Sequence, residues 1–360
     1  MELFEIKKVN SKNKKRNLDI KASGVVSSTK YFPVFKEVNK EMIFKPLSKT
    51  KPFSTPLFSY SEVYWSYLLK KYMDFATPQY QLAYCEGLEM EQPKYYEKGC
   101  LVENVLQEGE KLINLLEYFK QKKDPKVSID DYINYCEVQY DYEPILRSNL
   151  FTNRKDLGQE LAKQILCSIL RRDDNYHYEN VSMIIKDGQI IKMAPMMDLE
   201  FSEFFMFPDF DNYHNMKKIL YEIGTTQDVE TDNSYQIQNI RKNLKTIVEL
   251  YPEVVENFLE RIILMKEEVM NLEIKFENNF LGEFSSIDWI PTRMIYKEGK
   301  KKEDKEYIES KEESEKSRIV LEKERFNEQL KKEVLESIEL LSNTLRELLE
   351  TKKVIQKKLP

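Results

Sequence analysis

Glycine is scarce in this chain, 9 in 360 residues, and there are only two histidines, two tryptophans and four cysteines. Two histidines exclude a zinc site built from several of them. The cysteines, Cys85, Cys100, Cys136 and Cys167, are widely spaced with no CxxC pair. They read as reduced, partly buried thiols of a cytoplasmic protein. No run of about 18 apolar residues occurs, so no membrane span is expected. The start, MELFEIKKVNSKNKKRN, lacks the apolar core of a secretory signal. Neither sign of charge dominates: 56 basic against 62 acidic residues leave a net charge of -6. Bulk charge therefore makes no case for direct nucleic-acid binding. What is abundant is core material, with 41% hydrophobic and 12% aromatic residues. That excludes a wholly disordered chain and a disulfide-stapled mini-protein.

The length allows two to three structural units. No internal repeat and no Pro- or Gly-rich linker divides them, but the composition shifts near residue 297. From Lys297 to Lys316 the chain is almost entirely Lys, Glu, Asp and Ser. Beyond it Phe326, Leu330, Val334, Ile338, Leu341, Leu345, Leu348, Ile355 and Leu359 recur at spacings of three and four, with one gap at Lys352. This predicts an amphipathic helix whose seam is narrow enough for a coiled coil. The 317–360 helix could self-associate, bind a partner or dock on the rest of the chain.

Residues 1–104 look strand-rich, with runs at Tyr31 to Phe35, Glu41 to Phe44 and Lys94 to Glu103, and a helix over Tyr60 to Met73. Residues 105–296 read mainly as helices, at 109–120, 129–139, 156–171, 214–223, 234–250 and 252–278. The expectation is an α+β chain: a small strand-rich lobe, a helical lobe, and a charged helical tail over 297–360. The basic N-terminal stretch, Lys7 to Lys21, reads as solvated. Met196, Met197, Phe201, Phe204, Phe205 and Phe207 read as core, and His214 as a helix-start residue.

The densest chemistry lies between 156 and 198. Asp156 with Gln159 has the spacing of a capping box, and Leu157, Leu161, Ile165 and Ile169 form one buried stripe. Arg171 and Arg172 suit the negative end of that helix. A polar loop, Asp173 to Asn180, follows. Val181 to Ile185 and Ile190 to Met193 then flank Asp187-Gly188, a hairpin signal. A hairpin brings Asn180 and Asp198 back to the same end. Two hard oxygen donors there suit Mg²⁺, which keeps waters and binds substrate phosphates. An acid beside them could orient an attacking hydroxyl.

His177-Tyr178-Glu179-Asn180 and Ala194-Pro195-Met196-Met197-Asp198, with the hairpin between them, resemble the catalytic core of the HipA-like and CtkA-like bacterial Ser/Thr protein kinases. The resemblance covers about residues 20–250. It implies a bilobal protein-kinase-like fold, with ATP and Mg²⁺ as cofactors, Asn180 and Asp198 on the metal, and His177 bracing the loop. It places the catalytic Asp five residues before Asn180, where this chain has Asn175. Either the loop is one residue longer and Asp174 is the base, or the base is missing.

The same resemblance extends to the first lobe. Ser23 to Lys30, with Gly24, Ser27, Ser28 and Thr29, is similar to the phosphate-covering loop of those kinases. Lys45 ends a strand and Glu62 opens a helix, as in the pair that orients the α- and β-phosphates. Leu101, Val102 and Glu103 would meet the adenine. Taken alone, Lys45 and Glu62 are ordinary surface charges. The implied activity is that of a bacterial toxin or effector kinase acting on a cellular protein. The alternatives are a nucleotide-binding pseudokinase and a scaffold acting through its C-terminal helix.

Overall fold

The structure is a computed structural model and describes residues 3–19, 31–37, 40–48, 56–73, 77–122, 127, 141–173, 176–199, 202–206, 234–277, 280, 286–288, 318–320 and 323–358. The helices expected at 129–139 and 214–223 lie outside the described residues, as do Cys136, Phe201, Phe207 and His214.

The architecture is mixed α+β, strand-rich in the N-terminal half and helical in the C-terminal half. The strands are β1 (Lys7–Asn10), β2 (Arg16–Asp19), β3 (Tyr31–Glu37), β4 (Lys40–Ser48), β5 (Tyr80–Glu86) and β6 (Tyr95–Glu103). They form one sheet in the order β1-β5-β6-β4-β3-β2. All pairings are antiparallel except β1 with β5. The basic N-terminus is thus a sheet component, and Lys8, Lys12, Lys15 and Arg16 are exposed on it, as the solvated reading expects. Its charge is placed on acids: Lys15 and Arg16 both pair with Glu41, at 2.9 and 2.8 Å, and Lys14 pairs with Glu91. Those bonds pull the Glu41 carboxyl down to about 2, the Lys15 hydrogen bond being the largest cause.

Helix α1 (Pro56–Tyr72) follows the hairpin of β3 and β4. Tyr60, Val63, Tyr64, Trp65, Leu68 and Leu69 are all buried, as is nearly every residue up to Leu69. A helix apolar on all sides is one with neighbours on all sides. Its neighbours are β5, β6 and the C-terminal helices. A short helix, α2 (Leu88–Glu91), connects β5 to β6.

The expected helix at 109–120 begins as a strand, β7 (Glu110–Asn114), before α3 (Leu115–Lys122). Pairing decides this. β7 is hydrogen-bonded to β8 (Ser182–Lys186), which pairs in turn with β9 (Gln189–Met193). Asp187 and Gly188 make the hairpin turn at φ 51° and 76°, the left-handed pair that such two-residue turns require.

The helical half comprises α4 (Glu143–Leu146), α5 (Asn149–Asn153), α6 (Lys155–Leu170), α7 (Glu203–Met206), α8 (Ser234–Leu250), α9 (Pro252–Asn271) and α10 (Lys323–Lys358). β10 (Ser286–Asp288) and β11 (Arg318–Val320) form a separate antiparallel pair. Asp156 does not cap α6. The helix begins one residue earlier, after Arg154, and Asp156 pairs with Arg154 at 2.7 Å. Gln159 donates instead to Glu253.

The seam of α10 is filled from within the chain. Phe326, Leu330, Val334, Ile338, Leu341, Leu345 and Leu349 are buried in the same core as Leu161, Ile165 and Phe258. α10 runs antiparallel to α9: Asn327 bonds Ile274 at one end, and Lys352 reaches the carbonyls of Val248 and Glu249 near the other. Of the placements the sequence left open, docking on the helical half is the one present. The last part of the expected 297–360 tail, α10, thus packs in the core with the helical half. Val354 and Ile355 at its far end are exposed. Among the described residues, no helix is long and apolar enough to cross a membrane.

Candidate functional site

Glu62 sits on α1 with its carboxylate 3% exposed. A buried charge is tolerated only with a partner, and the partner is Lys45. Its Nζ lies 2.6 Å from Glu62 Oε1 and 2.5 Å from Asp198 Oδ1. Three elements far apart in sequence thus meet at one ammonium.

Lys45 is placed by an unusually close pairing of β4 with β6. Pro46 lies opposite Gly99, and a side-chain carbon on Gly99 would sit 2.1 Å from the Lys45 carbonyl oxygen. Only glycine permits that approach. The register shifts between Pro46 and Ser48, where proline cannot donate to the ladder.

Asp198 adopts φ 55°, left-handed for a residue that is not glycine. Such a conformation costs on the order of 1–3 kcal/mol and persists only when its surroundings impose it. Three hydroxyls from the N-terminal half do so. Thr77 Oγ1 donates to Met196 O at 3.2 Å, the Asp198 amide donates to Tyr80 Oη at 3.3 Å, and Ser61 Oγ donates to Leu199 O at 2.7 Å. Burial holds the Tyr80 phenol well above its ordinary range, so it stays neutral. None of these three carries a recognisable sequence signal. Tyr80 lies in β5, whose alternating burial could have marked it as a strand.

The hairpin brings Asn180 and Asp198 to one end, as its spacing predicts: Ala194 N donates to Ser182 O at 2.8 Å. Asn180 Nδ2 donates to His177 Nε2 at 3.2 Å. The imidazole then carries its hydrogen on Nδ1, and the amide turns its oxygen the other way. Burial lowers the His177 pKa below its ordinary value, with Glu179 opposing the shift, so the ring is neutral near pH 7. His177 Nδ1 is buried and has no partner among the described residues.

Asp173 pairs with the wholly buried Arg171 at 2.8 Å. Asp174 and Asn175 lie outside the described residues, as do Gly24, Ser27, Ser28 and Thr29. The segment carrying those four connects β2 to β3. Leu101 and Val102 lie inside the sheet, with β4 on one side and β5 on the other. Glu103 is matched only on the β4 side, to Met42, so the strand end that a base could meet starts at Glu103.

A divalent cation fits the donor set. With both acids ionised, Glu62, Lys45 and Asp198 carry one surplus negative charge, and Asp198 is 43% exposed. Among the described residues, no group of three or more His, Cys, Asp or Glu could hold a metal alone. Asp198 and Asn180 would need phosphate oxygens to complete the shell, which is the habit of Mg²⁺. Among the described residues the thiols are not activated: burial pushes Cys85 and Cys167 up to about 12, and Cys100 well above its usual value.

No protein-family model matches the sequence, and no curated protein matches it. Among solved structures the chain is similar to the Helicobacter pylori proinflammatory kinase CtkA, at 11% identity, over 95% of this chain and 98% of that one, with a TM-score of 0.49. It is also similar to a chain of the Shewanella oneidensis MR-1 toxin–antitoxin complex of HipA, HipB and operator DNA, at 11% identity, over 90% and 67% of the two chains, with a TM-score of 0.45.

Proposed function

We propose that this chain is an ATP- and Mg²⁺-dependent protein Ser/Thr kinase of the HipA-like kind, acting on a cellular protein as a toxin or effector. The observation that carries the reading is the Glu62–Lys45–Asp198 chain of contacts. A strand lysine, a buried helix carboxylate and an aspartate after a hairpin meet at one point. Phosphoryl transfer needs these three together.

When bound, ATP would supply the transferable phosphoryl group and Mg²⁺ would neutralise charge developing on it. The residues do the rest. Glu62 holds the Lys45 ammonium at a fixed height above the site. Lys45 would hold the α- and β-phosphate oxygens, and Asp198 would hold the cation. Asn180, fixed by His177, offers the second oxygen. Asp174 would accept the proton of the acceptor hydroxyl as its oxygen bonds the γ-phosphorus and the bond from that phosphorus to the ADP oxygen breaks, ADP leaving. Gly24, Ser27, Ser28 and Thr29, which follow β2 in the sequence, would cover the phosphates.

The test measures two things apart: binding of ATP with Mg²⁺ by calorimetry, and transfer of the γ-phosphate to the chain itself or to proteins of a lysate. Binding with transfer upholds the kinase. Absence of binding overturns it. Binding without any transfer favours a pseudokinase, the second reading, which the Asn175 at the usual base position supports.

A further inference from the structure

We infer that Glu333 and Ser337 of α10 position the segment bearing Asp174, His177 and Asn180, by holding Arg172 in a left-handed turn at the end of α6. The inference rests on the kinase reading for the meaning of that segment. It concerns a contact that the reading does not use.

Arg172 has φ 48°, a conformation an arginine avoids and a glycine takes freely. The chain reverses there, and two residues later it reaches Asp174. The side chain is anchored rather than solvated. Arg172 Nη1 donates to Glu333 Oε2 at 3.3 Å, and Nε donates to Ser337 Oγ at 3.3 Å. Its guanidinium carbon lies 4.9 Å from the ring centre of Phe204. All four groups are buried. Gln329 donates to the other Glu333 oxygen at 3.0 Å, so the carboxylate is itself fixed.

The flanking main chain is tied as well. The Asp173 amide donates to Ser168 O at 3.0 Å, and Ser202 Oγ donates to Arg171 O at 2.9 Å. The chain thus enters the loop in a direction set at Arg172, and the anchor of Arg172 lies 161 residues away. Without that anchor only the two backbone bonds of the helix end, Arg172 N to Ile169 O at 3.1 Å and Asp173 N to Ser168 O, hold the left-handed conformation against the right-handed one that arginine prefers. A buried ion pair that served stability alone could be exchanged for apolar side chains at little cost. One that holds a backbone conformation could be exchanged at little cost in stability, but not without losing that conformation.

The difference is measurable in the full-length protein. Arg172→Leu with Glu333→Leu removes both charges, so it should melt close to wild type. It should nonetheless raise hydrogen exchange at the Asp173 and Asn180 amides by about tenfold. It should also lower kcat by about tenfold while KM for ATP changes less than about threefold. Arg172→Gly with Glu333→Leu restores a residue that takes positive φ without an anchor, and should recover both exchange protection and kcat. A folded double-leucine variant with wild-type exchange and turnover would overturn the inference. So would a glycine variant no better than the leucine one. If the wild-type protein transfers no phosphate, the kinase reading fails, and the exchange comparison alone still decides whether α10 positions the loop.

Discussion

Tyr80 holds its hydroxyl 3.3 Å from the backbone nitrogen of Asp198, joining a strand of the first half to the aspartate that follows the hairpin of the second. The strain at Asp198 is maintained by this contact and its two neighbours. Tyr80→Phe removes the acceptor and leaves a part-buried amide without it, a loss of about 1–3 kcal/mol. We expect a lower melting temperature and a turnover reduced by about tenfold, with ATP binding changed less. Equal turnover in the two proteins would refute this.

On the kinase reading, Lys45→Met would do more than remove a phosphate ligand. It strands the Glu62 carboxylate in the core, and breaking such a pair from one side costs about 3–5 kcal/mol. Adding Glu62→Gln should return most of the lost stability in a denaturant titration without returning any transfer. A single Lys45→Met variant as stable as wild type would show that Glu62 has another sufficient partner.

Asp174→Ala should lower the transfer rate by about 10²–10⁴, the usual loss for a general base, and leave ATP binding intact. Asp198→Ala should impair metal-dependent binding as well. Asn175 cannot take a proton near neutral pH. If Asp174→Ala transfers normally while Asp198→Ala does not, the base is another group and the kinase reading stands.

His177 makes folding sensitive to acid. The unfolded chain binds its proton near the ordinary histidine value of about 6.5, whereas the buried ring resists protonation until a lower pH. The unfolded state therefore holds more protons between those two values, and stability falls as pH drops through that window. Below the lowered value this residue causes no further loss. His177→Gln should flatten the slope of melting temperature against pH between about 7 and 5. Identical slopes would sink the idea.

Truncation before α10 should abolish folding rather than merely release a partner. Seven buried apolar side chains, from Phe326 to Leu349, leave with that helix. At about 1.5–3 kcal/mol each they represent roughly 10–20 kcal/mol, more than the whole stability of most domains, about 5–15 kcal/mol. The truncation would also leave Arg172 buried without Glu333. A cooperatively melting protein that ends at 316 would show that the packing of α10 is dispensable.

Local patterns were readable wherever short-range chemistry decides. The Asp187-Gly188 turn, the α6 stripe and the α10 seam each depend on neighbours a few residues apart. The pairing of Lys45 with Glu62 was legible only through family resemblance, since neither residue type is unusual. The strand β7 was misread as helix, because its conformation is imposed by β8, some 70 residues on. The N-terminal strands were missed for the same reason: their lysines are compensated by Glu41 and Glu91 in distant segments.

The sequence by itself determined the buried stripe of α6 and the seam of α10, where the hairpin turns, and that Asn180 and Asp198 return to one end of it. Those outcomes follow from periodicity and from the few residues that accept positive φ. Tertiary structure alone decided that Asp198 is held by Tyr80, that Glu62 is buried against Lys45, and that α10 fills its seam within the chain and reaches Arg172. Each depends on desolvation, which has no local signature: a carboxylate or guanidinium becomes an anchor only once packing removes the water that would otherwise satisfy it.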